Sequence, residues 1–210
     1  MRPRTEKLAI PAARDHIFLM FIQTEATPNP EVLKFLPGQA VLGDGTRDFR
    51  SAEEAAASAL AADLFGLEGV TRVFFGPDFI TVGKTADEDW AFLKAPILAA
   101  IMDHFTSGRP LFADAGDSEA GGHDEGDYEG ETAQIVAEIK DLLDTRIRPA
   151  VAQDGGDILF SRFDEHTGVV YLNMRGACSG CPSSSATLKA GVENMLKHYV
   201  PEVTAVEQAL

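Results

Sequence analysis

Cysteine is scarce in this chain. Two occur in 210 residues, both in the run Arg175-Gly176-Ala177-Cys178-Ser179-Gly180-Cys181-Pro182-Ser183-Ser184. One pair is too few for a disulfide-stapled secreted fold, so C-x-x-C reads as metal or redox chemistry in a reducing compartment. It is also too few for a complete sulfur site within one chain, because tetrahedral zinc or an iron–sulfur cluster asks for four ligands. Any metal or cluster held here needs further ligands from a second copy, a partner protein or a small thiol.

Positive charge is short as well: 18 Lys and Arg stand against 33 Asp and Glu, a net charge of −15. That argues against nucleic acid, which needs clustered cations to neutralise phosphate, and against an anionic membrane surface. No apolar run approaches the roughly 20 residues of a membrane span. Residues 1–19 carry Arg2, Arg4, Lys7 and Arg14 ahead of the brief run Ile17-Phe18-Leu19-Met20-Phe21. The run is too short for a signal-peptide core, and Glu6 and Asp15 count against a transit peptide. With Met20 as an alternative start, residues 1–19 read as an upstream extension, expected to be disordered.

What is present divides into two parts. Residues 107–130 are rich in Gly, Asp, Glu and Ser and carry −6 of the net charge, a composition expected to form an acidic flexible linker. Residues 20–106 ahead of it read as a compact α+β unit. Phe21–Glu25 and Val32–Leu36 are strand-like, separated by Ala26-Thr27-Pro28-Asn29-Pro30. Ser51 is an N-cap for one Ala-rich helix over 52–65, with Glu53 and Glu54 in its first turn. Val70–Phe75 and Phe79–Val82 form a strand pair, and Trp90–Phe105 a closing helix containing Pro96. Phe74 and Phe75 point to opposite faces of their strand, so one is expected to be exposed.

Residues 131–210 form the second unit. Ile135, Ile139, Leu142 and Ile147 fall at helical spacing over about 131–151, with Pro149 tightening the last turn. Asp154-Gly155-Gly156-Asp157 turns the chain, its glycines supplying positive φ. Strands follow at about 157–164 and 168–174, joined through Glu165-His166-Thr167-Gly168. Pro182 opens a helix to about 198, and Glu202–Glu207 suits a short edge strand. The fold class expected is α+β: two small domains joined by the acidic linker.

Cys178 and Cys181 therefore sit in a strand-to-helix loop, where free N–H groups and the positive helix end favour thiolate over thiol. Gly176 and Gly180 allow close backbone approach to sulfur. The loop holds no Asp, Glu or His to act as general acid or base, so it is built to hold something soft and not to turn over a substrate. Other candidates are weaker. Thr27-Pro28-Asn29-Pro30 is a partner-binding turn or a strand break fixed by two prolines. His104, His123, His166 and His198 are isolated, and Arg148 is within reach of the acidic turn.

The loop Gly176–Ser184 and the stretch Ile147-Arg148-Pro149-Ala150-Val151-Ala152-Gln153-Asp154-Gly155-Gly156-Asp157 resemble the carboxy-terminal domain of the NifU-like (Nfu) family. Gln23-Thr24-Glu25-Ala26-Thr27-Pro28-Asn29-Pro30 and Lys34-Phe35-Leu36-Pro37-Gly38 resemble the amino-terminal domain paired with it in many Nfu proteins. The resemblance covers 20–105 and 131–207. It implies a non-enzymatic iron–sulfur carrier or late-acting scaffold. Cys178 and Cys181 of two protomers would hold a bridging 4Fe–4S cluster, or a 2Fe–2S one. Its implied partners are a second copy when loaded, an upstream assembly scaffold and apo client proteins, with neither nucleic acid nor membrane. The implied location is bacterial cytoplasm, or the organelle matrix in a eukaryote. Two alternatives use the same thiols: a thiol–disulfide oxidoreductase and a zinc-bridged dimer.

Overall fold

A computed structural model of the chain describes residues 21–112, 123, 126–179 and 182–209, with backbone alone at 182–185. The readings of residues 1–19, of much of the linker, and of Gly180 and Cys181 fall outside the described residues.

The amino-terminal domain is an antiparallel sheet with helices on one face. Its strands are β1 (Gln23–Ala26), β2 (Val32–Leu36), β3 (Arg47–Phe49), β4 (Val70–Phe75) and β5 (Ile80–Lys84), in the order β1-β2-β5-β4-β3. Strand alternation sends Phe35, Phe49, Val73, Phe75, Ile80 and Val82 to one side. There they pack on α1 (Ala52–Ala55), α2 (Ala59–Phe65) and α3 (Trp90–Ser107) through residues such as Ala55, Leu64, Ile97 and Ile101. The Phe49 and Phe75 rings meet edge-on at 5.2 Å. Thr27 and Asn29 fix the β1–β2 turn: Thr27 Oγ1 donates to Asn29 O at 2.8 Å, and Asn29 Oδ1 accepts from Glu31 N at 3.0 Å.

Two expectations change here. The single helix over 52–65 is two helices, because Ser58 leaves helical geometry (φ −129°, ψ 124°) and caps α2 by accepting from Ala61 N. Neither Phe74 nor Phe75 is exposed; Phe75 fills the domain core while Phe74 is buried on the opposite sheet face.

The carboxy-terminal domain begins with α4 (Gly130–Leu142), a π-helical turn (Leu143–Ile147) and α5 (Arg148–Gln153). Pro149 has no N–H to offer the carbonyl of Thr145, and the widened turn lies directly before it. Strands β6 (Gly156–Asp164) and β7 (Val169–Gly176) form the expected hairpin, and β8 (Ala205–Gln208) adds to β7 in parallel after α6 (Pro182–Tyr199). On β7, Val170, Leu172 and Met174 turn inward. They meet Ile139, Ile147, Val192 and Leu196 in a second core. No described helix is long and apolar enough to cross a membrane.

Candidate functional site

The site is built where β7 hands over to α6. Gly176 ends the strand at φ +59°, and the chain folds back tightly. Ala177 N donates to Gly155 O at 3.1 Å, Cys178 N to Arg175 O at 3.3 Å and Ser179 N to Gly176 O at 3.2 Å. These N–H groups are spent on carbonyls; the backbone N–H that bonds the Cys178 sulfur is that of Asp157, and Gly180 lies outside the described residues.

The Asp154–Asp157 turn lies against this fold-back and supplies the floor under Cys178. Gly155 takes the positive φ (+83°) expected of the turn, but Gly156 has a different job. A Cβ there would stand 2.3 Å from Cys178 Sγ and 2.8 Å from Arg175 O, so only glycine lets the strand pass beneath the thiol. Positive φ was expected of both glycines in this turn; Gly156 does not adopt it and is required instead by the close approach of sulfur.

Cys178 is 5% exposed. Burial, reinforced by the charges of Asp157 and Asp154, pushes its thiol up to about 12, and a backbone hydrogen bond from Asp157 only partly opposes this. For Cys178 in this conformation burial and the neighbouring carboxylates favour the thiol, against the thiolate expected of the loop; Cys181 lies outside the described residues.

Beside the thiol a groove of about 660 Å³ opens between α5 and α6, lined by Ile147, Val151, Leu188, Val192 and Met195, with Pro28 of the amino-terminal domain at its edge. Below it Asp157, 3% exposed, is held from three directions. Arg148 donates twice, Nε to Oδ1 at 2.8 Å and Nη2 to Oδ2 at 3.0 Å, and Thr46 Oγ1 donates to Oδ2 at 2.7 Å. Arg148 Nη1 also reaches Asp144 at 2.7 Å. Burial works against the Arg148 charge, but the hydrogen bonds to Asp157 and Asp144 outweigh it and raise its pKa.

The remaining candidates scatter. His123 accepts from Phe160 N at 2.7 Å and meets Asp144 at 3.0 Å, away from the cysteine loop. His104 is buried at the end of α3, while His166 and His198 lie on exposed positions. No group of three or more His, Cys, Asp or Glu positioned for a metal ion occurs among the described residues.

These observations define a two-domain α+β chain with one paired-thiol loop at a strand-to-helix junction. Comparison with known proteins supplies the family. The model described as "Scaffold protein Nfu/NifU N terminal" matches residues 22–108, and that described as "NifU-like domain" matches 139–207. The chain is 53% identical over 189 residues to NifU-like protein 4, mitochondrial, of Arabidopsis thaliana, covering 90% of this chain and 66% of that protein. It is 51% identical over 203 residues to the NFU1 iron-sulfur cluster scaffold homolog, mitochondrial, of Homo sapiens, covering 96% and 77%. The solution NMR structure of a NifU-like protein from Saccharomyces cerevisiae aligns at a TM-score of 0.42 and 24% identity, over 53% of this chain and 96% of that one, too distant to carry an argument. The chain belongs to the Nfu/NifU family, a family of scaffold proteins and not of enzymes. It spans about two-thirds of the length of the Arabidopsis relative.

Proposed function

We propose that this chain carries an iron–sulfur cluster between two copies of itself and passes it to apo-proteins. The observation that carries the reading is the half-complete ligand set: one C-x-x-C pair, in a chain whose relatives are named cluster scaffolds. Two sulfurs, Cys178 and Cys181, from each of two protomers supply the four thiolates of a 4Fe–4S cluster. The cluster is cargo, and divided ligation makes it easy to release. Separation of the pair, or attack by client thiolates, strips half the ligands at once. The reading fits a reducing compartment, bacterial cytoplasm or an organelle matrix, the latter in line with the mitochondrial relatives.

The oxidoreductase alternative uses the same two thiols, and because Cys178 is buried here, both readings require the loop to open. A zinc-bridged dimer uses the same donors, and zinc is a common occupant of thiolate sites during purification. Cys178→Ser and Cys181→Ser should each abolish retention of iron and sulfide while circular dichroism stays unchanged. A double serine variant that still holds iron and sulfide in a fixed ratio would falsify the assignment.

A further inference from the structure

The face of the amino-terminal sheet opposite its helices is buried, in part by Phe79 of its own domain, whose ring lies 5.9 Å from that of Phe74 and 4.7 Å from Lys34 Nζ, and in part by the carboxy-terminal domain. Lys34, Thr81, Phe74 and Asp48 are successive partners across β2, β5, β4 and β3, and so form one row on that face. Lys34 is 7% exposed, Thr81 1% and Phe74 0%. A lysine and a threonine at such depth need partners; Lys34 has Glu25 at 3.5 Å within its own domain and further partners beyond it.

Three members of the row, Lys34, Thr81 and Phe74, meet the base of the cysteine loop. Lys34 Nζ donates to Ala152 O at 3.1 Å and Gln153 O at 3.0 Å, the carbonyls at the end of α5, where a cation is favoured. Thr81 lies so close to Gly155 that a Cβ on that glycine would stand 2.7 Å from its methyl. The Phe74 ring would be 3.0 Å from a Cβ on Gly176. Asp48 itself is held within its own domain by Arg50 at 2.8 Å and Arg72 at 3.5 Å. Thr46 bonds Asp157 in the same region, and Asn29 Nδ2 approaches Ser179 O at 3.5 Å. The two glycines approached most closely, Gly155 and Gly176, are the ones that bracket the fold-back under Cys178.

We propose that this sheet face is a docking platform for the base of the cysteine loop, and that the docked arrangement is a closed form which must open before two copies can pair their loops around a cluster. The gating part rests on the carrier reading; the docking part does not. A bridging cluster requires Cys178 sulfur to face a second chain. In the docked form that sulfur is buried, with Pro28 at the edge of its groove and Asn29 beside Ser179. Bound in this way, the amino-terminal domain sets when a second chain can approach Cys178, through Pro28 and Asn29 at that side of the loop.

The test uses the full apo chain and reads alkylation of Cys178 by iodoacetamide with peptide mass mapping, together with the rate of iron uptake during reconstitution. Lys34→Glu sets a carboxylate against the α5 carbonyls, and the milder Lys34→Met removes the donor but keeps the stem. Thr81→Glu places a charge against Gly155. Once undocked, these side chains stand on an open sheet face, so the domain fold should survive. Alkylation should accelerate at least about ten-fold in both glutamate variants and less in Lys34→Met, with iron uptake accelerated in the same order. Folded variants that alkylate at the wild-type rate would overturn the docked form. Faster alkylation without faster iron uptake would overturn the gate. Faster alkylation in a chain that never takes up iron would uphold the docking and sink the carrier reading instead.

Discussion

Gly156 and His123 show what single residues contribute here. Gly156 was legible as a turn residue, yet its role depends on a sulfur 22 positions later in the chain, a contact no local pattern encodes. His123 was legible only as a lone histidine among carboxylates. In the fold, the hydrogen bond it accepts from Phe160 N requires Nδ1 to be unprotonated, leaving Nε2–H to donate to Asp144. Burial lowers its pKa against the pull of Asp144. Its unfolded form therefore takes up a proton first as pH falls, so stability is present above about pH 6.5 and lost below it. Thermal melting between pH 7 and 5 should fall more steeply in the wild-type chain than in His123→Ala. Equal slopes would show that this histidine does not titrate against folding.

At the scale of elements, most strands and helices could be read from alternation and capping, and the exceptions have physical causes. The helix over 52–65 seemed continuous because alanine dominates it. Ser58, fully buried, instead turns the chain, and its Oγ accepts from Ala61 N at the start of α2. Removing that cap as Ser58→Ala should cost the amino-terminal domain about 1–2 kcal/mol. A denaturant midpoint unchanged within error would contradict this. Strand β3 escaped notice because three residues, Arg47-Asp48-Phe49, are too few to show a period; register with β4 is what defines it. For Cys178 the thiolate expectation failed for an element-level reason as well. The fold-back from Arg175 to Ser179 turns the N–H groups of Ala177, Cys178 and Ser179 to carbonyls, and Cys178 packs into the carboxy-terminal core.

For the whole molecule, the sequence announced two α+β domains and the half-complete ligand set, because composition and cysteine count are global quantities. It did not announce how the domains meet. The row Lys34–Thr81–Phe74–Asp48 reads as an ordinary outward sheet face, and its meaning comes only from Gly155 and Gly176 lying over it. Close packing of two acidic halves is tolerated because its charged members are paired. Lys34 answers helix carbonyls, and Arg148 answers Asp157. The central claim is that two chains share one cluster, and anaerobic reconstitution with iron and sulfide, followed by native mass and iron and sulfide assays, tests it most directly. The account predicts about four irons and four sulfides per pair of chains, with the cluster-free protein running as a monomer. A monomer that takes up no iron and readily closes a Cys178–Cys181 disulfide would contradict it.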